Sequence, residues 1–299
     1  MSTTTSPTLM HSERVHKDQL QGQDVVHMSL PSGDCAIVAL HGAQVVSWTT
    51  GNGAERLFLS PKAHWDGQSA VRGGVPICFP QFNQRGPLVK HGFARNRTWS
   101  FVGATDDVDS VTAVFALHDD AETRLAWPHG FEVRLRVLLT HGQLRMTLEL
   151  ENTGSDAWSF TGALHTYLQV PEISQLQLEG LEGLARWDAV RDVHDIQQQA
   201  VRFDGEYDSV FAPVQQPLLL RDADSGFALQ IENSANWGNV VVWNPGAALC
   251  AQLADMPSDG YRHMLCVEAA CVDSAVTLQP GERWIGWQQL QDLSRAELN

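Results

Sequence analysis

The sequence predicts an all-β protein built as an antiparallel β-sandwich, and three observations carry that prediction. Apolar and polar residues alternate with a period of two along many short segments, as in half-buried strands. Turn-forming residues separate these segments, and convincing amphipathic helices are almost absent. A barrel has the same pattern and remains open at this stage, whereas a propeller is disfavoured because no internal repeat of fixed period is present.

The clearest strands form a hairpin in the middle of the chain, where residues 131–139 and 144–150 alternate on either side of a His141-Gly142 turn. Further strands are predicted at residues 25–30, 35–40, 45–49, 111–117, 227–232, 240–243, 263–267 and 275–278. No Pro/Gly/Ser linker divides the chain. We therefore expect one domain over residues 23–299, preceded by a loose polar tail at residues 1–22.

Charge and cysteine usage restrict the classes of partner. The 299 residues carry a formal net charge of -15, which argues against nucleic acid and anionic membrane surfaces. We find no apolar run long enough to cross a bilayer and no apolar signal-peptide core near the start. The five cysteines lack CxxC spacing, as expected for reduced thiols in a cytoplasmic protein. We expect a monomer that acts on a small molecule.

One stretch runs against the acidity of the chain. Residues 67–105 contain no Asp or Glu but hold five cations, namely Arg72, Arg85, Lys90, Arg95 and Arg97. Glycines and prolines in this stretch predict loops. Arginine forks match the geometry of phosphate oxygens, so the stretch is a candidate anion site. A basic loop without a ligand is the alternative.

Two titratable residues stand in apolar strand patterns. His165 alternates onto the same strand face as Tyr167, and a satisfied structural histidine is the simpler interpretation of it. Glu268 lies within an apolar run at residues 264–271. Burial raises the pKa of a carboxylate, which would make Glu268 a better base near neutral pH.

Several motifs together resemble a known family. Residues 72–76 read RGGVP, residues 79–80 FP and residues 91–96 HGFARN, with later blocks LHTY at 164–167, YDSV at 207–210, VWNP at 242–245 and CVE at 266–268. These blocks closely resemble the hexose-6-phosphate mutarotase branch of the aldose 1-epimerase family, in family order from about residue 25 to about residue 290. The RGGVP-FP and HGFARN blocks together are a specific signal for this family, whereas each later block alone would be a weak one.

The resemblance implies a galactose-mutarotase-like β-sandwich, or supersandwich, that interconverts the α and β anomers of a hexose 6-phosphate, glucose 6-phosphate first among them. It implies Glu268 as general base and His165 as general acid, without metal or cofactor. Ring opening removes the C1 hydroxyl proton and protonates the ring oxygen, so His165 must enter charged and its pKa should be raised.

The resemblance also implies substrate-binding positions. Arg72 and Arg95 match the phosphate-binding positions, His91 matches a second ring-site histidine, and Asp208 matches a position that holds sugar hydroxyls. Trp243 is a further candidate for substrate binding, because an indole face can cover a pyranose ring. The residue before the HGFAR motif is commonly Gln in the family, whereas here it is Lys90. Lys90 could contact the phosphate or point to solvent, and both alternatives stay open.

Three other functions remain to be weighed. A neutral-sugar aldose 1-epimerase would use the same chemistry, but Arg72 and Arg95 argue against it. A non-catalytic sugar-phosphate binding protein is disfavoured because both His165 and Glu268 are present. A structural β-sandwich adaptor is disfavoured because the sequence shows neither a repeat nor an exposed apolar stripe.

Overall fold

Antiparallel strands are the main secondary structure among the residues that the computed structural model describes, which are 12–222 and 224–294. The strands of the first part of the chain are β1 (Val15–Leu20), β2 (Gln23–Ser29), β3 (Cys35–Ala39), β4 (Gln44–Thr49), β5 (Ile77–Cys78), β6 (Ser100–Asp107), β7 (Ser110–His118), β8 (Phe131–Thr140), β9 (Gln143–Asn152), β10 (Trp158–Leu164) and β11 (Tyr167–Gln169). Those of the second part are β12 (Gln177–Glu179), β13 (Ala185–Asp188), β14 (Val193–Ile196), β15 (Val201–Arg202), β16 (Tyr207–Phe211), β17 (Leu218–Arg221), β18 (Ala228–Asn233), β19 (Asn239–Asn244), β20 (Met264–Leu278) and β21 (Arg283–Asp292). The short helices between them are α1 (Ala121–Ala126) and α2 (Gly246–Cys250), with 3-10 turns at Ala94–Asn96, Ile173–Gln175 and Gly260–His263.

These strands form three sheets. Strands β1 to β4 make a four-stranded sheet in chain order. An eight-stranded sheet has the order β14-β13-β16-β19-β20-β10-β5, with β11 also paired to β20. A nine-stranded sheet has the order β15-β12-β17-β18-β21-β9-β8-β7-β6. One continuous apolar core joins residues of the eight- and nine-stranded sheets, such as Val267 and Leu135, so the two large sheets pack face to face as a sandwich.

Strand β20 shows why one sheet can serve both the core and a site. Leu265, Val267 and Ala269 belong to the main core between the large sheets. The alternating residues Cys266 and Glu268 point to the opposite face, and both are buried. Because both faces of this strand are covered, its sequence reads as a nearly continuous apolar run.

The prediction of an all-β antiparallel sandwich is confirmed, and so is the central hairpin, in which Leu139 pairs with Leu144. Two boundaries were wrong. The segments predicted at residues 263–267 and 275–278 are one long strand, β20, because Ala269, Ala270 and Cys271 continue the ladder with β10, which resumes at Val276 after a register shift.

The predicted tail at residues 1–22 is wrong where it overlaps β1, which pairs antiparallel with β2. That strand has mostly exposed side chains, so its sequence lacks the alternation that reveals half-buried strands. Residues 1–11 lie outside the described part of the chain, and a single domain stays a prediction. Within the described residues, no helix has the length and apolar character that a membrane span requires.

Candidate active site

A cavity of about 300 Å³ lies on the face of the eight-stranded sheet that points away from the main core. All eight residues singled out from the sequence line it, namely Arg72, Lys90, His91, Arg95, His165, Asp208, Trp243 and Glu268. These residues come from four distant parts of the chain. The structure therefore brings the whole predicted set together, and the size of the cavity suits a single small molecule.

Strand register places three of these side chains side by side. Asp208 on β16 pairs with Trp243 on β19, and Trp243 pairs with Cys266 on β20. Glu268 follows Cys266 by two residues and therefore points to the same face. The cavity floor is thus a patch of three adjacent antiparallel strands.

His165 lies in the short break between β10 and β11. Its backbone N–H donates to the carbonyl of Pro76 at 3.0 Å, so the chain leaves the ladder here without losing the hydrogen bond. Leu164 and Leu168 enter the main core, while the His165 ring stacks on Tyr167 with 4.9 Å between centroids. The predicted shared face of His165 and Tyr167 is confirmed.

Glycines hold the two signature loops close to their neighbours. Gly74 has φ +56°, and a Cβ there would lie 2.2 Å from the carbonyl oxygen of Val45. Gly92 has φ +69°, and a Cβ there would lie 2.2 Å from the carbonyl oxygen of Phe79. Only glycine fits at such contacts, which explains why RGGVP and HGFAR carry glycine beside Arg72 and His91.

The His165 and Glu268 side chains meet at the bottom of the cavity. His165 Nε2 lies 3.4 Å from Glu268 Oε1, and the two side chains are 11% and 1% exposed. Burial raises the pKa of Glu268 well above its ordinary value, and the nearby Asp208 carboxylate raises it further. Burial also lowers the pKa of His165 well below its ordinary value, and His91, Arg95 and Arg72 add to that effect.

Both shifts favour the uncharged forms of the two side chains, a protonated Glu268 and a neutral His165. The expectation of a raised pKa for His165 is wrong without a bound phosphate, because burial and three neighbouring cationic or imidazole groups lower it. Glu268 Oε2 and His165 Nδ1 are buried and have no hydrogen-bond partner among the described residues. A buried polar atom without a hydrogen-bond partner destabilises the fold unless a ligand supplies the partner.

His91 is arranged as a neutral donor. The backbone N–H of Asn83 donates to His91 Nδ1 at 3.2 Å, which places the ring proton on Nε2. Burial lowers the pKa of His91 to about 3, and Arg95, Lys90 and Arg72 lower it in the same direction. Its ring lies 5.4 Å from that of His165. His91 can therefore donate to a sugar oxygen, but it does not supply a titrating proton near neutral pH.

The cationic end of the cavity is built around Arg72 and Arg95. Arg72 Nε donates to Asp255 at 3.1 Å and Arg72 Nη1 to the Tyr167 hydroxyl at 2.9 Å. Arg95 Nη2 donates to the Lys90 carbonyl at 2.9 Å. These bonds hold both guanidinium groups in place and leave Arg72 Nη2 and Arg95 Nη1 without a hydrogen-bond acceptor among the described residues.

Burial by itself would lower the pKa of Arg72, but Tyr167 and Asp255 raise it above the ordinary value, so this group stays charged. A second cavity of about 500 Å³ adjoins the first, and Arg72, Arg95 and Tyr167 line both. An anion held by the two arginines therefore has open space on its far side.

The other cations of the basic stretch have different surroundings. Lys90 is exposed at the cavity rim. Arg85 stacks over Trp187 at 4.9 Å and lies 3.8 Å from Asp273, while Arg97 pairs with Glu122. The candidate anion site therefore uses Arg72 and Arg95, with Lys90 near it, and not the whole stretch.

Asp208 and Trp243 complete the opposite wall. Burial raises the pKa of Asp208 to about 6, Lys90 opposes that shift, and Glu206 and Asp188 increase it. Trp243 is half-buried, with its indole edge-on to His165 at 6.2 Å. An exposed indole face beside a carboxylate is a common way to hold a sugar ring and its hydroxyls.

Sequence reasoning missed two supporting residues. Tyr167 was seen only as a neighbour of His165 on its strand face, although its hydroxyl also orients Arg72. Asp255 gave no signal, because 183 residues separate it from Arg72 and it lies in an irregular segment.

Comparison with known proteins agrees with this arrangement. Residues 24–291 match the family described as aldose 1-epimerase. The chain belongs to the aldose 1-epimerase family. Several relatives carry the name "Putative glucose-6-phosphate 1-epimerase". One of them, from Cenchrus ciliaris, is 40% identical over 264 residues, and the match covers 84% of this chain and 79% of the relative. Another, from Escherichia coli strain K12, is 35% identical over 240 residues and covers 79% of each chain.

Solved structures support the fold of this aldose 1-epimerase family member. The crystal structure of a mutarotase from Salmonella typhimurium, described as putative, has a TM-score of 0.87 at 28% identity, covering 96% of this chain and 97% of the other. A galactose mutarotase-like protein from Clostridium acetobutylicum has a TM-score of 0.72 at 16% identity, covering 94% and 98% of the two chains. The galactose-mutarotase-like sandwich predicted from the motifs is therefore confirmed.

Proposed function

We propose that this protein interconverts the α and β anomers of a hexose 6-phosphate, with glucose 6-phosphate as the first substrate to test. The observation that carries the proposal is the cavity itself, in which a buried His165–Glu268 pair and two anchored arginines face the same space. The names of the relatives support the phosphorylated substrate, and the charge at Arg72 and Arg95 supplies the physical reason for it.

Ring opening requires one group that takes the C1 hydroxyl proton and one that protonates the ring oxygen. Glu268 takes the first proton as a carboxylate, and His165 gives the second as an imidazolium. Rotation about C1–C2 presents the other face of the aldehyde, and the two groups exchange roles on closure. The pair starts with its proton on His165 and, when the ring is open, holds a proton on Glu268.

The substrate's phosphate prepares this starting arrangement. Without that phosphate the neutral form of His165 is favoured, partly because Arg72 and Arg95 lower its pKa. A bound phosphate brings about -1.5 to -2 charges at pH 7 and offsets both arginines. Arg72 depresses His165 and is not among the groups that act on Glu268, so this compensation favours a proton on His165. The same number of protons is kept, and only their position changes.

The remaining side chains position the sugar. Neutral His91 donates through Nε2 to a ring or hydroxyl oxygen, and Asp208 accepts from hydroxyls. Trp243 covers an apolar face of the ring. Lys90 adds positive charge at the rim, and its contact with the phosphate is part of the proposal.

The decisive experiment is NMR exchange spectroscopy on the anomers of glucose 6-phosphate, with glucose and galactose measured under identical conditions. We expect acceleration of anomer exchange for the phosphorylated sugar and little for the neutral ones. Equal acceleration of all three would retain the roles of Glu268 and His165 and remove phosphate recognition. Absence of any acceleration would contradict the proposed activity and favour a sugar-phosphate binding protein.

A further inference from the structure

A third metal-binding side chain lies beside the acid–base pair. One ligand atom each from His165, Cys266 and Glu268 lies within 4.8 Å of the others, and all three residues are buried. Cys266 and Glu268 project from the same face of β20, and His165 meets them from the break between β10 and β11. The thiol is not part of the cavity wall and has no role in the proton transfers proposed above.

We infer that His165, Cys266 and Glu268 form an inhibitory site for a thiophilic divalent cation of the Zn²⁺ type, which binds in competition with the sugar. A sulfur, a nitrogen and a carboxylate oxygen are the donors that Zn²⁺ selects, whereas Mg²⁺ and Ca²⁺ prefer oxygen alone. Three protein ligands leave a fourth tetrahedral position, which would face the cavity. The inference rests on the proposed function for its effect on activity, but cation binding itself does not.

The geometry requires little movement. Ligands around a tetrahedral Zn²⁺ lie about 3.3–3.6 Å apart, as follows from metal–ligand bonds of about 2.0–2.3 Å. His165 Nε2 and Glu268 Oε1 are already 3.4 Å apart. The three ligand atoms lie within 4.8 Å of one another, so the sulfur has to approach the pair by at most about 1.5 Å to complete the same triangle.

The protein does not fully satisfy the polar atoms of this cluster. His165 Nδ1 and Glu268 Oε2 are buried without hydrogen-bond partners among the described residues, so few protein hydrogen bonds hold these two side chains against a small movement toward a cation. On cation binding the Cys266 thiol and the Glu268 carboxyl group release their protons to solvent, and the resulting thiolate and carboxylate together neutralise the divalent charge. This local balance offsets Arg72, Arg95 and Lys90, which face the same cavity and oppose any cation.

The test combines spectroscopy with inhibition. Wild-type protein titrated with Co²⁺ should show a thiolate-to-cobalt charge-transfer band in the near ultraviolet, and Zn²⁺ should abolish it. Buffered Zn²⁺ should inhibit glucose 6-phosphate anomer exchange competitively, while Mg²⁺ should not. A Co²⁺ spectrum without the thiolate band would overturn the inference whether or not the protein turns over the sugar.

Substitution of the thiol separates this site from surface binding. Cys266→Ser should keep its turnover, lose the cobalt band and need at least about tenfold more Zn²⁺ for half-inhibition, the scale seen when even a supporting partner of a metal site is lost. Cys250→Ser is the matched control, because Cys250 is equally buried and donates only to the Pro257 carbonyl. Cys266→Ala provides a second variant if serine impairs folding, as judged by circular dichroism. Unchanged inhibition in the folded Cys266 variants, or equal relief in Cys250→Ser, would contradict the assignment.

Discussion

The two ends of the cavity handle charge in opposite ways. At the acid–base end, burial pushes the pKa of Glu268 up and that of His165 down, so the ligand-free pair is neutral. At the cationic end, Asp255 and Tyr167 keep Arg72 charged despite its partial burial. Desolvation acts on both ends, but the partners outweigh it only at Arg72, since Arg95 and Lys90 oppose it at Glu268 without overcoming it. The comparison indicates that the His165–Glu268 pair becomes charged only when the substrate binds, whereas the arginines are charged before it binds.

The Glu268→Gln substitution tests the acid–base end of the cavity and should have the largest effect on activity. The amide keeps the size of the side chain but cannot take the C1 hydroxyl proton, so we expect turnover of glucose 6-phosphate to fall by about 10²–10⁴-fold. KM should change little, because the cationic end is intact. Anomer exchange measured by NMR over a range of substrate concentrations checks both parameters, and near wild-type turnover would remove Glu268 from the mechanism.

Arg95→Ala tests the opposite end. The variant removes a charge-assisted contact to the phosphate, a loss of about 1.5–3 kcal/mol, so KM should rise by roughly 10- to 100-fold with a smaller fall in turnover. Arg97→Ala is the matched control, because Arg97 comes from the same basic stretch but pairs with Glu122 outside the cavity. Equal KM values in the Arg95 and Arg97 variants would show that phosphate binds elsewhere.

The pH profile gives the smallest and most specific effect. The pair is active with one shared proton, so activity should fall below the lowered pKa of His165 and above the raised pKa of Glu268. The value of kcat/KM, which reports the pKa values of the free enzyme, should therefore be level across neutral pH rather than sharply bell-shaped.

Asp208→Asn sharpens that test. The Asp208 carboxylate raises the pKa of Glu268, so its removal should move the alkaline limb to lower pH and leave the acid limb in place. The value of kcat/KM, followed from pH 5 to 10 in the variant and the wild type, measures the shift of the alkaline limb. A variant whose alkaline limb does not move would show that Asp208 does not act on Glu268.

The sequence was sufficient for the fold class and for the cavity-lining residues because both depend on local signals. Alternation along 131–139 and 144–150 predicted a real hairpin, and glycine-rich motifs marked the loops that carry Arg72 and His91. Strand β1 was missed because an edge strand with exposed side chains has no alternation to detect.

Other features depend on tertiary contacts and could not be predicted. Asp255 reaches Arg72 across 183 residues, and no local pattern announces such a pair. The predicted direction of the His165 pKa shift was wrong for the protein without substrate, because the effect of desolvation depends on how deeply the ring is packed. A nearby carboxylate or the bound phosphate was expected to raise this pKa, whereas burial and three neighbours from other segments lower it in the absence of phosphate.

Strand β20 carries core residues such as Val267 on one face and Glu268 on the other. Insertion or deletion of a single residue before this pair would exchange the two faces and put a carboxylate into the main core. Chains with such a change would lose their fold and would be removed by proteolysis before they could act as inactive enzymes. We therefore expect a change of length in this segment to lower the amount of folded protein, whereas a point substitution on the cavity face alters the site and leaves the core in place.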